Sequence, residues 1–226
     1  FSNAPRGAAF QSSVPTNTTG IGGSFARFTI ANGHLYTVDQ SDLRVFDLIN
    51  CDRPNFLNNT SIGWGIETIF PLGNNLFIGS NNGMFIYDIT NGSTPTQLSQ
   101  FQHARACDPV YVSDTKAYVT LRSGSACNGF VNQLDVIDVT ELTNPRLIIS
   151  HPMDNPHGLS VRGTDLFICE GEFGLKVFDR SSDTQISNNL LSSVPNLHAY
   201  DIITLSTNLA MIIGQDGLYQ YDISNT

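Results

Sequence analysis

One five-residue phrase, an apolar run closed by an aspartate, is written five times along the chain. It reads "LRVFD" at 43–47, "MFIYD" at 84–88, "LDVID" at 134–138, "LKVFD" at 175–179 and "LYQYD" at 218–222. The closing residues, Asp47, Asp88, Asp138, Asp179 and Asp222, are spaced by 41, 50, 41 and 43 residues. A period in the low forties, with several short apolar runs and turn residues in each unit, is the length of a four-stranded propeller blade. Helical repeats would need long stretches of 3.6-residue periodicity, which this chain lacks.

Each unit can be cut in the same way. A short run opens it ("FARFTI", "IETIF", "DPVYV", "HGLSV", "YDIIT"), a turn rich in Gly, Asn and Asp follows, and a second run comes next ("LYTVD", "LFIGS", "AYVTL", "LFICE", "LAMII"). Then stands the repeated phrase, and after a Pro-containing turn a fourth run such as "TPTQLSQF" or "NPRLIISHPM". Named A to D, these make the phrase strand C. Its apolar residues are expected between neighbouring blades, and its aspartate is expected to accept N–H groups of the following turn, a structural and not a catalytic duty.

The fold class that follows is all-β: a propeller of five blades of four antiparallel strands, near 23–64, 65–106, 107–155, 156–198 and 199–226. The last unit stops at "YDISNT", where its fourth strand should begin, and "APRGAAFQSSVP" (4–15) resembles the strand D of "NPRLIISHPM". Residues 4–15 are therefore expected to close the ring beside the last strand C, which removes an open sheet edge. The competing reading is an N-terminal arm on a longer chain with more blades.

Composition excludes several functions. Across 226 residues Asp and Glu outnumber Lys and Arg by 20 to 11, for a net charge of −9, and Lys116 and Lys176 are the two lysines. Phosphate neutralisation needs clustered basic side chains, so nucleic acid is not an expected partner. No apolar stretch is long enough to cross a bilayer, and "FSNAPRGAAF" has neither the basic nor the apolar region of a signal peptide. The expectation is a soluble, mature piece, with any signal or lipid anchor lying upstream.

The strand C phrases resemble those of the bacterial LVIVD-repeat proteins, a name that "LDVID" nearly reproduces, while "LYQYD" departs from it by placing Gln220 at an apolar position. The resemblance covers about Gly23 to the end. It implies a β-propeller, usually exported, at the bacterial cell surface, outer membrane-associated or extracellular, and often a lipoprotein. It implies no settled activity and offers no catalytic motif to carry over.

Function must then be sought where propellers converge. With strand A lining the axis, the D-to-A connections and B-to-C hairpins share one face, here termed upper. Alignment of the blades on strand B places Ala26, Glu67, Asp108, His157 and Tyr200 in one layer and Arg27, Thr68, Pro109, Gly158 and Asp201 in the next, with Asp39, Asp42, Glu170, Glu172 and Asp216 on the upper hairpins. The candidate ligand site is thus Arg27, Glu67, Asp108, His157 and Asp201, rimmed by the insertion at 122–133 and joined by Trp64. Its carboxylates suit a cation such as calcium, a hydroxyl-rich sugar or a basic peptide better than an anion.

The blander reading is that channel mouths are wet and their polar residues simply stay solvated. For Trp64 in "IGWGI", inter-blade packing is favoured over a sugar-stacking platform. His157 before Gly158 reads as a hydrogen-bonded turn residue before it reads as a ligand, and His103, His151 and His198 fit no compact zinc spacing, so no cofactor or metal is expected. Of four cysteines, Cys107 and Cys127 are expected to form a disulfide, because the 50-residue interval lengthens the upper hairpin carrying Cys127 beside Cys107. Cys51 and Cys169 should remain thiols.

The function expected is a non-enzymatic binding or scaffold module of a bacterial cell-surface or envelope assembly, taking a protein or glycan partner. No Gly-x-Ser-x-Gly or similar nucleophile motif supports an enzyme. The alternative is a glycan-active hydrolase using Glu67, Asp108 and Asp201 as its acid/base set, which requires two carboxylates facing one open cleft.

Overall fold

The structure is a computed structural model and describes residues 22–81, 83–102, 109–123 and 130–224. Nineteen strands form five antiparallel sheets in chain order. Blade one is β1 (Phe28–Ala31), β2 (His34–Val38), β3 (Asp42–Asp47) and β4 (Asn55–Ser61). Blade two is β5 (Ile66–Leu72), β6 (Asn75–Ser80), β7 (Gly83–Asp88) and β8 (Thr96–Gln102). Blade three is β9 (Val110–Ser113), β10 (Lys116–Leu121), β11 (Gln133–Asp138) and β12 (Arg146–Pro152). Blade four is β13 (Leu159–Arg162), β14 (Asp165–Cys169), β15 (Leu175–Asp179) and β16 (Leu190–Val194), with one 3-10 turn at Ile186–Asn188. Blade five is β17 (Ala199–Thr204), β18 (Leu209–Gly214) and β19 (Gly217–Asp222). All five repeated phrases fall in the third strand of their blades. The proposed closing strand at 4–15 lies outside the described residues.

Side-chain alternation explains why "MFIYD" of β7 is apolar on both faces up to its aspartate. Successive residues of a strand point to opposite faces, so a strand between two other blades must be apolar on both. In β7, Phe85 and Tyr87 join a core with Tyr36 and Val45 of blade one, while Met84 and Ile86 join a core with Val112 and Val119 of blade three. Tyr118 and Val136 pack against Leu159 and Ile168 in the third seam, and Phe167 and Val177 against Ile202 and Ile212 in the fourth.

The first and last blades meet differently. Among the described residues no such core spans them; an apolar pocket of about 330 Å³ lies there, lined by Phe25, Phe28, Ile30, Ile203 and Ile213 among others. Phe28 is 63% exposed and Ile213 49%. Near the axis Ser24 Oγ bridges this gap by donating to Asp201 Oδ1 at 3.0 Å.

The closing aspartates cap their turns, as expected. Each accepts the N–H two residues on: Ile49, Thr90, Thr140, Ser181 and Ser224, at 2.7 to 3.3 Å. Four of the five also accept the hydroxyl of that Thr or Ser. Blade one has Ile49 instead and its bond is the longest of the set, 3.3 Å. The hairpin between β1 and β2 turns through Asn32 and Gly33, at φ of 50° and 72°, the left-handed pair that matches strand twist in a two-residue loop.

Candidate functional site

The connection between β4 and β5 carries Trp64 between two glycines, Gly63 and Gly65, at φ of 147° and 77°. These conformations are open to glycine at little cost, and they throw the indole outward. Trp64 is 80% exposed. The expectation of inter-blade packing is therefore corrected: the indole stands in solvent at the rim of a cavity of about 570 Å³, lined also by Phe25, Arg27, Gln40, Glu67 and Asn81.

Backbone bonds from both flanking hairpins hold this loop. Ile62 N–H donates to the Ser41 carbonyl at 2.8 Å, Ile66 N–H to that of Gln40 at 3.2 Å, and Asn81 N–H to that of Gly65 at 2.9 Å. Arg27 Nη2 donates to the Ile66 carbonyl at 3.0 Å. The β2–β3 hairpin is itself fixed, since Asp39 Oδ1 accepts Ser41 and Asp42 N–H at 3.0 and 2.9 Å and Oδ2 accepts Arg44 at 2.7 Å. The Ser41 and Asp42 bonds hold the Asp39 carboxyl below its ordinary range.

Arg27, Glu67 and Trp64 thus share one pocket, between blades one and two. His157 and Asp201 do not join them, because both are buried near the axis. Asp201 Oδ1 accepts Ser24 Oγ, which in turn accepts Leu159 N–H at 2.8 Å. Gly23 and Gly158 press against this carboxylate so closely that a Cβ at either would collide with it. Burial pushes the Asp201 carboxyl up to about 6, against the pull of its Ser24, Ile202 and Phe25 donors.

His157 is a clasp. Its Nδ1 bonds the Asn155 carbonyl at 2.7 Å, its backbone N–H donates to Cys169, and its carbonyl accepts Thr120 Oγ1 at 2.6 Å. An imidazole nitrogen facing a carbonyl carries the proton, so Nδ1 is the protonated nitrogen. Burial lowers its pKa to about 4, aided by Arg122 and His198. Its ring lies 5.5 Å from Tyr200, which lies 5.0 Å from His198. Glu170, fully buried, holds the turn that carries this clasp by accepting Asp154 and Asn155 N–H at 3.0 and 2.6 Å.

Asp108, Cys107 and Cys127 lie outside the described residues, and the disulfide reading lies there with them. Cys51 is exposed and Cys169 buried, both as thiols. Among the described residues no three His, Cys, Asp or Glu side chains are grouped to hold a metal ion, and no helix is long and apolar enough to cross a membrane. Sequence reasoning missed Gln40 and Asn81. The available signal was their place on the two hairpins flanking the Trp64 connection. Phe130 and Phe173, 94% and 46% exposed, stand on the corresponding hairpins of blades three and four, so among the described residues the upper-face connections carry exposed aromatics in blades three and four as well.

These features define a five-bladed all-β propeller with a polar, aromatic-rimmed pocket on one face. The family model described as LVIVD repeat matches residues 69–102, nearly all of blade two, so the chain carries an LVIVD repeat. No curated protein sequence matches it. Among solved structures the chain is similar to the computationally designed Ika8 protein, at 13% identity and a TM-score of 0.64 over 87% of this chain and 57% of that one. It is also similar to a functionally unknown protein from Desulfotomaculum acetoxidans DSM 771, at 14% and 0.58 over 85% and 68%. A third is BamB from Moraxella catarrhalis, at 8% and 0.60 over 84% and 56%. The chain spans little more than half the length of Ika8 and BamB, and identities this low speak to fold alone.

Proposed function

We propose that the protein is a non-catalytic binding module of a bacterial cell-surface or envelope assembly, and that its partner lands on the upper face. One observation carries the reading: the chain's single tryptophan is held out in solvent at the rim of a pocket, on a loop that backbone bonds tie to both flanking hairpins. Exposed aromatics on a rigid frame mark recognition surfaces, because they offer large contact area without a cost of ordering. The exported location rests on the family resemblance. The hydrolase alternative loses support from Asp201, which is enclosed by Ser24 and two glycines and does not open beside Glu67.

The test is a thermal-shift screen against soluble oligosaccharides, calcium and basic peptides, since a ligand of the folded state raises its melting temperature. At least one class should stabilise the wild type, and the shift should vanish in Trp64→Ala while surviving in Ile49→Ser, an exposed lower-face change. A shift lost in Ile49→Ser and kept in Trp64→Ala would place binding on the wrong face.

A further inference from the structure

We infer that the outer edge of β19 is the seat of this chain's own residues 6–12, paired antiparallel with Arg6 opposite Asp222, Phe10 opposite Tyr219 and Gln11 opposite Leu218. Closure of the ring by residues 4–15 leaves the pairing open; the complete blades fix it. The inference stands apart from the upper-face reading.

Among the described residues β19 pairs on one side, with β18, whereas the third strand of every other blade pairs on both. Such an edge presents a row of N–H and C=O groups that a further strand satisfies. Its side chains are open as well: Leu218 and Gln220 are exposed, and so is Ile213, opposite Leu218 on β18. Residues 1–21 join the described chain at Gly22, which itself lines the apolar pocket in this seam.

Proline sets the register. In blades one, two and three a proline stands seven residues after the closing aspartate: Pro54 after Asp47, Pro95 after Asp88 and Pro145 after Asp138. The next residue, Asn55, Thr96 or Arg146, opens strand D and lies opposite that aspartate. Proline suits the entry to an edge strand, where its missing N–H costs no ladder bond. Residues 1–21 hold Pro5 and Pro15. Pro15 leaves residues 16–21 before Gly22, too few for a strand D of seven residues such as Asn55–Ser61 and a connection after it. Pro5 is then the marker, and Arg6 falls opposite Asp222.

The chemistry of that pair fits. In blade one Asp47 accepts the turn N–H on Oδ1 and Nδ2 of Asn55, the residue opposite, on Oδ2 at 3.0 Å. In blade five Asp222 Oδ1 accepts the N–H and hydroxyl of Ser224, and Arg6 brings a guanidinium to the place that Arg146 holds opposite Asp138. Counting on through the one-residue bulge of the four complete blades, Ala8 is unpaired, Ala9 lies opposite Gln220 and Phe10 opposite Tyr219, an aromatic cross-strand pair. Ala8 is smaller than the Leu or Ile of the other blades, so the ladder, the Arg6–Asp222 pair and Phe10 carry the attachment. Residues 13–21 then cross from fourth strand to first, three strand spacings or about 14 Å. Nine residues reach roughly 30 Å, which is ample.

The test is disulfide trapping in the full chain. Gln11→Cys combined with Leu218→Cys, mildly oxidised and mapped by mass spectrometry of nonreduced peptides, should link positions 11 and 218 within one chain, because directly opposed residues lie within disulfide reach. Phe10→Cys combined with Leu218→Cys, one residue out of register and on the opposite face, should not link. Separately, Phe10→Ala should lower the melting temperature by roughly 2–4 °C, and Phe10→Leu should recover part of the loss. A link from position 10 in place of 11 overturns the register. A link between two chains makes the occupant a second copy's segment and overturns seating within the chain. No link from either position, or unchanged melting in Phe10→Ala, overturns the seat itself.

Discussion

Asp138 and Asp201 carry the same carboxyl group in opposite senses. Asp138 sits in solvent, and the hydroxyl and N–H of Thr140 favour its charged form, lowering its pKa. Its contribution to stability is present above the unfolded pKa and is lost as pH falls through the folded one. Asp201 is raised from 3.8 to about 6 by burial, so its contribution is complete below 3.8 and is lost as pH rises through about 6. The shift corresponds to about 3 kcal/mol between those limits. His157 runs the other way: lowered from 6.5 to about 4, it favours the fold above 6.5 and costs stability as pH falls toward 4. Melting curves at pH 4.5 and 7.5 separate the two. Asp201→Asn should gain stability at pH 7.5 relative to pH 4.5 when compared with wild type, and His157→Gln should lose less on acidification; parallel shifts in all three proteins would contradict both assignments. These neighbours were legible as neighbours. Strand alignment puts His157 beside Tyr200 and Gly158 beside Asp201, and the structure joins both pairs, by ring contact and by the close approach of Gly158 to the Asp201 carboxylate. Their burial was not legible, because Ser24 reaches Asp201 across 177 residues of sequence and no local pattern announces that reach.

The blade repeats more than its strands. In each of the four complete blades the pairing of strands C and D slips between the third and fourth residues of the repeated phrase: Val45/Phe46, Ile86/Tyr87, Val136/Ile137 and Val177/Phe178. The unpaired residue on strand D is Leu57, Leu98, Ile148 or Leu191, a large aliphatic every time. A β-bulge sharpens local twist, and a fixed bulge gives every blade the same outer curvature. Leu98 and Ile148 pack on the inter-blade cores, whereas Leu57 and Leu191 are 37% and 50% exposed. Deleting Leu98 should therefore cost far more than Leu98→Ala, because deletion shifts the register and turns the remaining strand D residues to the wrong face. Truncation to Ala should cost roughly 1–2 kcal/mol for a partly buried leucine, and the deletion several times that in chemical denaturation. Equal costs would mean that the bulge is incidental. The phrase itself was plain in the sequence because its period is long and it closes on an aspartate every time. The bulge was hidden, since one extra leucine in a strand looks like any other until its partner is known.

At the scale of the molecule, the seam between blades five and one sets the departures in the repeat. Positions one and three of each phrase face the following blade, and in blade five these are Leu218, 63% exposed, and Gln220, also exposed. Gln220 stands where the other phrases have Val45, Ile86, Val136 and Val177, so the one polar residue at this position marks the seam without a described core. The reading of residues 4–15 as the fourth strand of blade five predicts that removing residues 1–15 lowers the melting temperature sharply; unchanged melting would contradict closure by that segment. The candidate site was legible in part. Strand order alone assigned Arg27, Glu67 and Trp64 to one face, yet the exposure of Trp64 depends on Gly63 and Gly65 acting together, and the pocket depends on hairpins from two blades. The central claim is that ligand lands on that indole. With one tryptophan in the chain, quenching of intrinsic fluorescence by acrylamide reports on Trp64 alone. The free protein should be quenched readily, and saturation with the ligand that raises its melting temperature should shift emission to the blue and protect it from quencher. An indole already shielded in the free protein, or equally quenched with ligand bound, would contradict the account.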